Sequence, residues 1–293
     1  MSILILTVVS FSYCGIIREE GGEKMGRNDI CFCGSGKKKK KCHRDIEPGS
    51  AFAGMVDLHK RLDKTIQEGI GSIQCRKGCH SCCYQYFTIT SVEFYYLLHQ
   101  LIEERGMVKA QEFIERGYQD YLTYQEKHPE IIHVLKENHH VNNNDEFMFV
   151  MNRLNEANQN APMHNPNPCP FLDPETKGCS VYKYRPTVCR SYGVSYETKL
   201  EVPFQLCEHI QDGLAYQSEM ADVSQHQEEV YNLGFFNLDN QGIVVDKPYP
   251  IFYFCKIVKE NPRSLPNKMQ EYKTYSLQEV TKRKVFRNRL LPS

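Results

Sequence analysis

The sequence predicts a mainly α protein with minor β, a small N-terminal module followed by a helical domain whose loops carry cysteines. Three observations lead there. Apolar residues recur at three- and four-residue spacing over several long stretches. No alternating series of strands and helices runs through the chain, and no internal repeat is present. The cysteines, thirteen in 293 residues, gather between the helical stretches, with Cys75, Cys79, Cys82 and Cys83 crowded into nine residues. Thiols at such short, unequal gaps suit a soft or borderline metal, because one tight turn can aim several sulfurs at a point about 2.3 Å away.

Composition narrows the class further. The length allows about two domains and a real core. A hydrophobic content of 41% with 25% charged residues is ordinary for a globular protein. Lysine plus arginine, 36, equals aspartate plus glutamate, 36. No global field therefore suggests nucleic acid as a specific partner, and any basic docking surface must be local. An odd number of clustered thiols in a chain this long argues against a disulfide framework and for a reducing, cytoplasmic compartment.

The elements follow in order. Ile3 to Phe11 is a short apolar run without a positive flank, far below the ~20 residues of a membrane span, so no transmembrane segment is expected. Tyr13 before Cys14 also spoils a lipoprotein cleavage site. Gly21 to Lys24 back-translate naturally to a bacterial ribosome-binding sequence placed before Met25. Residues 1–24 are therefore expected to be mis-translated upstream DNA or a disordered extension, with Met25 the true start. A basic, glycine-containing module occupies residues 26–46, and Glu47 to Gly54 reads as a linker. Met55, Leu58, Leu62 and Ile66 predict a helix. The cysteine cluster forms a loop. Thr90 to Glu93 (T-S-V-E) reads as a capping box opening a helix through Leu97, Leu98, Leu101 and Ile102, with Gly106 as its stop.

Helical pattern continues over Val108 to Tyr124, Pro129 to Lys136 and Glu146 to Ala157. A polar loop at 139–145 and a Pro/Asn-rich loop at 158–170 separate these from a second cysteine region. Gly242 to Val245 and Ile251 to Val258 read as strands, rich in β-branched and aromatic residues. A basic helix is expected from Ser276 to about Arg289. The expected units are 26–46, a cysteine-bearing domain over 55–210, and a C-terminal extension, 211–293, on the same domain.

The module reads Cys31-Phe-Cys33-Gly-Ser-Gly-Lys-Lys-Lys-Lys-Lys-Cys42-His43, flanked by Gly26-Arg-Asn-Asp. Four ligands suffice for a closed tetrahedral site, and Gly34 and Gly36 let the backbone turn sharply. These residues resemble the SEC-C motif found at the C-terminus of the bacterial translocase motor SecA, apart from Ile30 where that family usually has proline. The resemblance implies zinc, or iron, held by Cys31, Cys33, Cys42 and His43. Lys37 to Lys41 are either a solvated loop or a docking surface for an acidic chaperone, a ribosome or anionic lipid.

The second constellation is Cys75-x3-Cys79-x2-Cys82-Cys83, then Cys169-Pro-Phe-Leu, then Cys179-x-Val-Tyr-x-x-Arg-Pro-x-x-Cys189-Arg190, with Cys207 following. In this order the residues resemble the zinc- or iron-chelating cysteine-cluster (CxxCxxCC) family, which includes flagellin lysine N-methylases. The resemblance covers residues 75–207 and implies ligation by some subset of these eight thiols, as two sites or an iron–sulfur cluster. Cys83 is open to either role, ligand or buried structural thiol. Arg76, Lys77, Arg185 and Arg190 stand beside the cysteines and can offset thiolate charge. Cys14 and Cys255 match neither pattern, and His80 reads as an exposed loop residue.

Cys75-x3-Cys79-x2-Cys82 is also the radical S-adenosylmethionine spacing, yet no βα series follows it, so only the cluster chemistry remains open. The expected function is metal binding, with a possible adaptor role through the lysine loop. The alternative is a protein-lysine N-methyltransferase, although no glycine-rich cofactor loop follows a strand.

Overall fold

The computed structural model describes residues 25–69, 78–137, 149–192 apart from 151, 155, 158, 159, 163, 164 and 166, then 195–196, 221–234, 236–239, 242–245 and 248–274. The fold is mainly helical with little strand. The predicted helix at residue 276 and the N-terminal extension lie outside the described residues, as do Cys14, Cys75 and Cys207.

Helix α1 spans Ala51–Gly69, four residues earlier than the apolar spacing alone suggests. The hydroxyl of Ser50 accepts from the Ala53 N–H at 3.2 Å, and Ala51, Phe52 and Ala53 are buried. Residues 51–54 are thus the first turn of a helix rather than a linker, because a side-chain cap and apolar burial outweigh the Pro/Gly/Ser context. Strand β1 (Thr88–Ile89) leads into α2 (Ser91–Lys127). The capping box at its start is present as expected, with Thr90 and Glu93 capping one another reciprocally. Gly106, at φ 82° and ψ 166°, breaks α2 where the stop was expected, in a region that suits glycine. Helix α3 (Pro129–Lys136) follows with proline at its first position. Described positions between 149 and 157 are helical.

The second cysteine region ends in the short α4 (Thr187–Ser191). Beyond it come β2 (Ser195–Tyr196), β3 (Ala221–Asp222), α5 (Ser224–Gly234), β4 (Phe236–Asp239), β5 (Gly242–Val245) and β6 (Tyr249–Pro250). Among the described residues the strands pair as three two-stranded ladders: β1 with β6 antiparallel, β2 with β3 parallel, and β4 with β5 antiparallel, Phe236 opposite Val245. Residues 251–258, expected as a strand, instead form α6 (Ile251–Glu260), followed by α7 (Leu265–Thr274). In α6 Phe254, Cys255 and Val258 fall on one helical stripe and join the main core with Phe94, Leu97, Leu98 and Phe113 of α2. Tertiary burial thus overrides a strand-like composition. Phe252 and Tyr253, on the flank, enter a second cluster with Tyr121, Tyr124, Ile131 and Leu135.

Candidate metal centres

The first group forms where the chain doubles back on itself. Cys31 N–H donates to the Lys37 carbonyl at 2.8 Å, Gly34 N–H to that of Cys31 at 3.1 Å, and Cys42 N–H to that of Lys39 at 3.0 Å. Gly34 and Gly36 hold φ of 71° and 73°, which an L side chain would resist. One donor atom from each of Cys31, Cys33, Cys42 and His43 then lies within 4.8 Å of the others. The His43 Nδ1 is 3.3 Å from Cys31 Sγ and 3.4 Å from Cys42 Sγ, and Cys33 Sγ is 3.5 Å from Cys42 Sγ. Ligands about 2.3 Å from a tetrahedral ion stand about 3.8 Å apart, so the spacing fits a single ion. Burial, followed by the charge of Lys183, lowers the His43 pKa and keeps the imidazole in its neutral, metal-binding form. Burial pushes the Cys31 thiol up to about 11. It also works against the Cys33 thiolate, but hydrogen bonds from Ser35 and Cys42 pull that thiol below its ordinary value.

Four of the five lysines beside this group, Lys37, Lys38, Lys40 and Lys41, are exposed. Lys39 corrects the expectation of a five-lysine docking surface. Its side chain is buried and its Nζ meets the Glu47 carboxylate at 3.1 Å. It anchors the module internally and is closed to a partner.

The second group depends on two segments running side by side. Cys83 and Tyr84 carbonyls accept from Cys169 N–H at 2.7 Å and Asn165 N–H at 2.6 Å. A turn closed by Asp173 then returns Cys179 beside Leu172. Glu93, whose carboxylate closes the α2 capping box, also accepts from Thr187 N–H at 2.8 Å. That bond fixes the start of α4, which carries Cys189.

Cys79, Cys82, Cys83, Cys169, Cys179 and Cys189 consequently line one cavity of about 90 Å³. One water needs only ~10–15 Å³, so the space suffices for more than one ion. Among the described residues no three of these sulfurs converge within 4.8 Å as the first four donors do. Five of them nonetheless sense one another. The charges of Cys82, Cys169 and Cys179 raise the Cys189 thiol after burial has pushed it well above its ordinary value. Burial and then Cys179 bring Cys169 up to about 12. Cys83, raised by its hydrogen bond to Cys82 and by burial, also feels Cys169 and Cys189. Cys82 moves down to about 7, through the Cys83 hydrogen bond and, against burial, the Arg185 charge.

Arg185 thus acts as the expected counter-charge. Arg190 does not; it points to Asp63 at 2.7 Å. Arg76 and Lys77 lie outside the described residues. His80 is half-buried, its ring tilted against Tyr84 at 6.4 Å. Cys255, expected to be incidental, is fully buried, and Cys169 helps raise its thiol after burial does so.

Sequence reasoning missed Asp120, Tyr124, Asn165 and Asn167, which share the cavity; a single aspartate in an amphipathic helix reads as surface. It also missed the convergence of Asp45, His99 and Glu103. There the Lys273 Nζ reaches Asp45 at 2.5 Å and Arg44 reaches Glu103 at 3.2 Å, so the carboxylates already have cations.

Two family models match the chain. Residues 74–208 match CxxCxxCC, described as a "Putative zinc- or iron-chelating domain", and residues 27–45 match the SEC-C motif. The protein translocase subunit SecA of Koribacter versatilis (strain Ellin345) is 82% identical over 22 residues, which are 8% of this chain and 2% of that protein. The likeness is therefore confined to one short segment. No solved structure matches. The chain is thus similar to the SEC-C motif over residues 27–45 and, after it, to the CxxCxxCC model over residues 74–208.

Proposed function

We propose that this protein holds zinc at Cys31, Cys33, Cys42 and His43 and a second metal complement in the cavity lined by Cys79, Cys82, Cys83, Cys169, Cys179 and Cys189. Cys75 and Cys207, outside the described residues, are candidates for the same cavity. The convergence of four sulfur and nitrogen donors within 4.8 Å supports the reading most, since such a donor set suits zinc. In the cavity, Cys83, Cys169, Cys179 and Cys189 are buried beside one another and unfavourable as thiolates. A bound cation removes that penalty. Zinc, iron and an iron–sulfur cluster all satisfy the chemistry.

The finer reading is an adaptor. Exposed Arg27, Lys37, Lys38, Lys40, Lys41 and Arg44 surround the first group, and a local basic face of this kind suits an acidic chaperone surface or a ribosome. Nothing among the described residues favours the lysine N-methyltransferase alternative. No helix among them is long and apolar enough to cross a membrane. The cytoplasmic location we propose rests on the many clustered free thiols, which suit a reducing compartment.

The test is elemental and sulfide analysis of the full chain purified without oxygen. Wild type should carry metal at both centres. Changing Cys31 and Cys33 to serine should remove only the first, and changing Cys169 and Cys189 only the second. Iron with labile sulfide and absorption near ~400 nm identifies a cluster, and zinc without visible absorption identifies mononuclear sites. A wild-type chain free of bound metal would overturn the proposal.

A further inference from the structure

The cysteine cavity has a wall that is not sulfur. Asp120 and Tyr124, one turn apart on α2, line it together with Asn165 and Asn167. The Tyr124 hydroxyl donates to the Asn165 side-chain carbonyl, and the Asn165 amide donates to the Gln85 carbonyl at 3.1 Å. Those three residues therefore satisfy one another. Asp120 lines the same cavity as the thiols. It is half-buried, with the Asn167 side chain as a hydrogen-bond partner. Arg116, one turn earlier, is engaged elsewhere. It lies 4.5 Å from the Phe113 ring centroid and donates to the Leu172 carbonyl at 3.0 Å. Among the described residues Asp120 forms no ion pair. Its charge reaches Cys169.

A carboxylate turned toward thiolates is repelled by them and gains little from a weakly solvated cavity. Burial alone pushes the Asp120 carboxyl up to about 6, against the Asn167 hydrogen bond and the Arg116 charge. A metal cation between the two groups converts that conflict into ligation. We propose that Asp120 is an oxygen donor to the second centre, which is therefore a mixed thiolate–carboxylate site rather than an all-sulfur one. The inference rests on the cavity being a metal centre. It also narrows the ion, since a hard oxygen beside soft sulfurs suits zinc or iron and disfavours copper(I).

The experiment titrates the full metal-free chain with cobalt(II) and reads absorption and affinity. The first site's contribution, measured in the Cys169→Ser/Cys189→Ser chain, is subtracted. In Asp120→Asn the sulfur-to-cobalt charge-transfer band should persist, while the ligand-field bands shift and second-site affinity falls at least tenfold. Asp120→Cys should raise the charge-transfer intensity by one thiolate. Unchanged ligand-field bands and affinity in Asp120→Asn overturn the inference. So does unchanged intensity in Asp120→Cys, which decides alone where the asparagine variant does not fold. A wild-type chain that takes up cobalt only at the first site would instead overturn the reading of the cavity as a site for single metal ions, and with it the role of Asp120.

Discussion

Arg190 follows Cys189 directly, yet its guanidinium leaves the thiols and turns to α1. Its Nη1 meets both Asp63 carboxylate oxygens at 2.7 Å, its Nε donates to the Arg185 carbonyl at 3.0 Å, and its Nη2 donates to the Lys183 carbonyl. One side chain thus ties the last cysteine-bearing turn to the first helix. The same Nη2 lies 3.3 Å from His59 Nδ1. That nitrogen must accept, so the ring proton sits on Nε2, which among the described residues is buried without a partner. Burial, followed by the charges of Arg190 and Arg185, holds the His59 pKa well below its ordinary value. The sign of the pH effect follows. Below about pH 6.5 the unfolded chain takes up a proton at this histidine that the fold refuses, so stability falls with acidification by up to ~1.4 kcal/mol per pH unit. Melting temperatures between pH 7.5 and 5.5 should therefore fall less steeply in His59→Gln than in wild type. Equal slopes would show that His59 is not the group responsible.

The contact between α2 and α6 organises the elements. Phe94 stacks on Phe254 with centroids 4.8 Å apart, and Tyr124 on Phe252 at 4.3 Å. Gly117 permits the approach, since a Cβ there would stand 2.4 Å from Cys255 Sγ and 2.7 Å from its Cβ. Gly117→Ala should cost about 1–3 kcal/mol by overpacking, read as a lower urea midpoint. Adding Cys255→Ala should recover only part, because the Cβ contact remains. An unchanged midpoint in Gly117→Ala would show that the helices can part freely. This pair also marks where the sequence is legible and where it is not. The α2 capping box, the Gly106 break and the Pro129 start of α3 were readable because each is a local signal within a few residues. Helix α6 was not, since Ile251 to Val258 carries the β-branched and aromatic residues of a strand, and only packing against α2 selects the helix. Helix α7 went unread although Leu265, Met269 and Tyr272, all buried, recur at helical spacing. The centres divide similarly. The donors of the first lie within thirteen residues, so spacing alone brings them together. For the second, the order of cysteines is visible, but neither their shared cavity nor Asp120 opposite them can be read without the fold.

For the whole molecule, the question is whether the N-terminal module folds as a bead or as part of the core. Ile46 is buried in the main cluster and Phe32 packs against it. Glu47 N–H donates to the Lys273 carbonyl at 3.0 Å, and Lys273 Nζ pairs with Asp45 at 2.5 Å, so α7 clamps the end of the module. His99 of α2 lies 3.7 Å from the same Asp45 carboxylate and stacks on Phe52. The first donor group therefore sits on α1, α2 and α7 rather than beyond a tether. A module of some twenty residues buries too little apolar surface to fold alone, and metal ligation supplies folding free energy directly. Because its apolar side chains belong to the common core, that free energy must be shared with the helices. Loading or stripping zinc at Cys31, Cys33, Cys42 and His43 should then shift the unfolding of the whole chain. With free zinc at a hundred times the dissociation constant, the expected stabilisation is about 2.7 kcal/mol. Calorimetry of the Cys169→Ser/Cys189→Ser chain isolates this effect from the second centre. One transition that moves to lower temperature on chelation is the expected result. A separate small transition that vanishes while the main one stays in place would mean that the module is a bead after all.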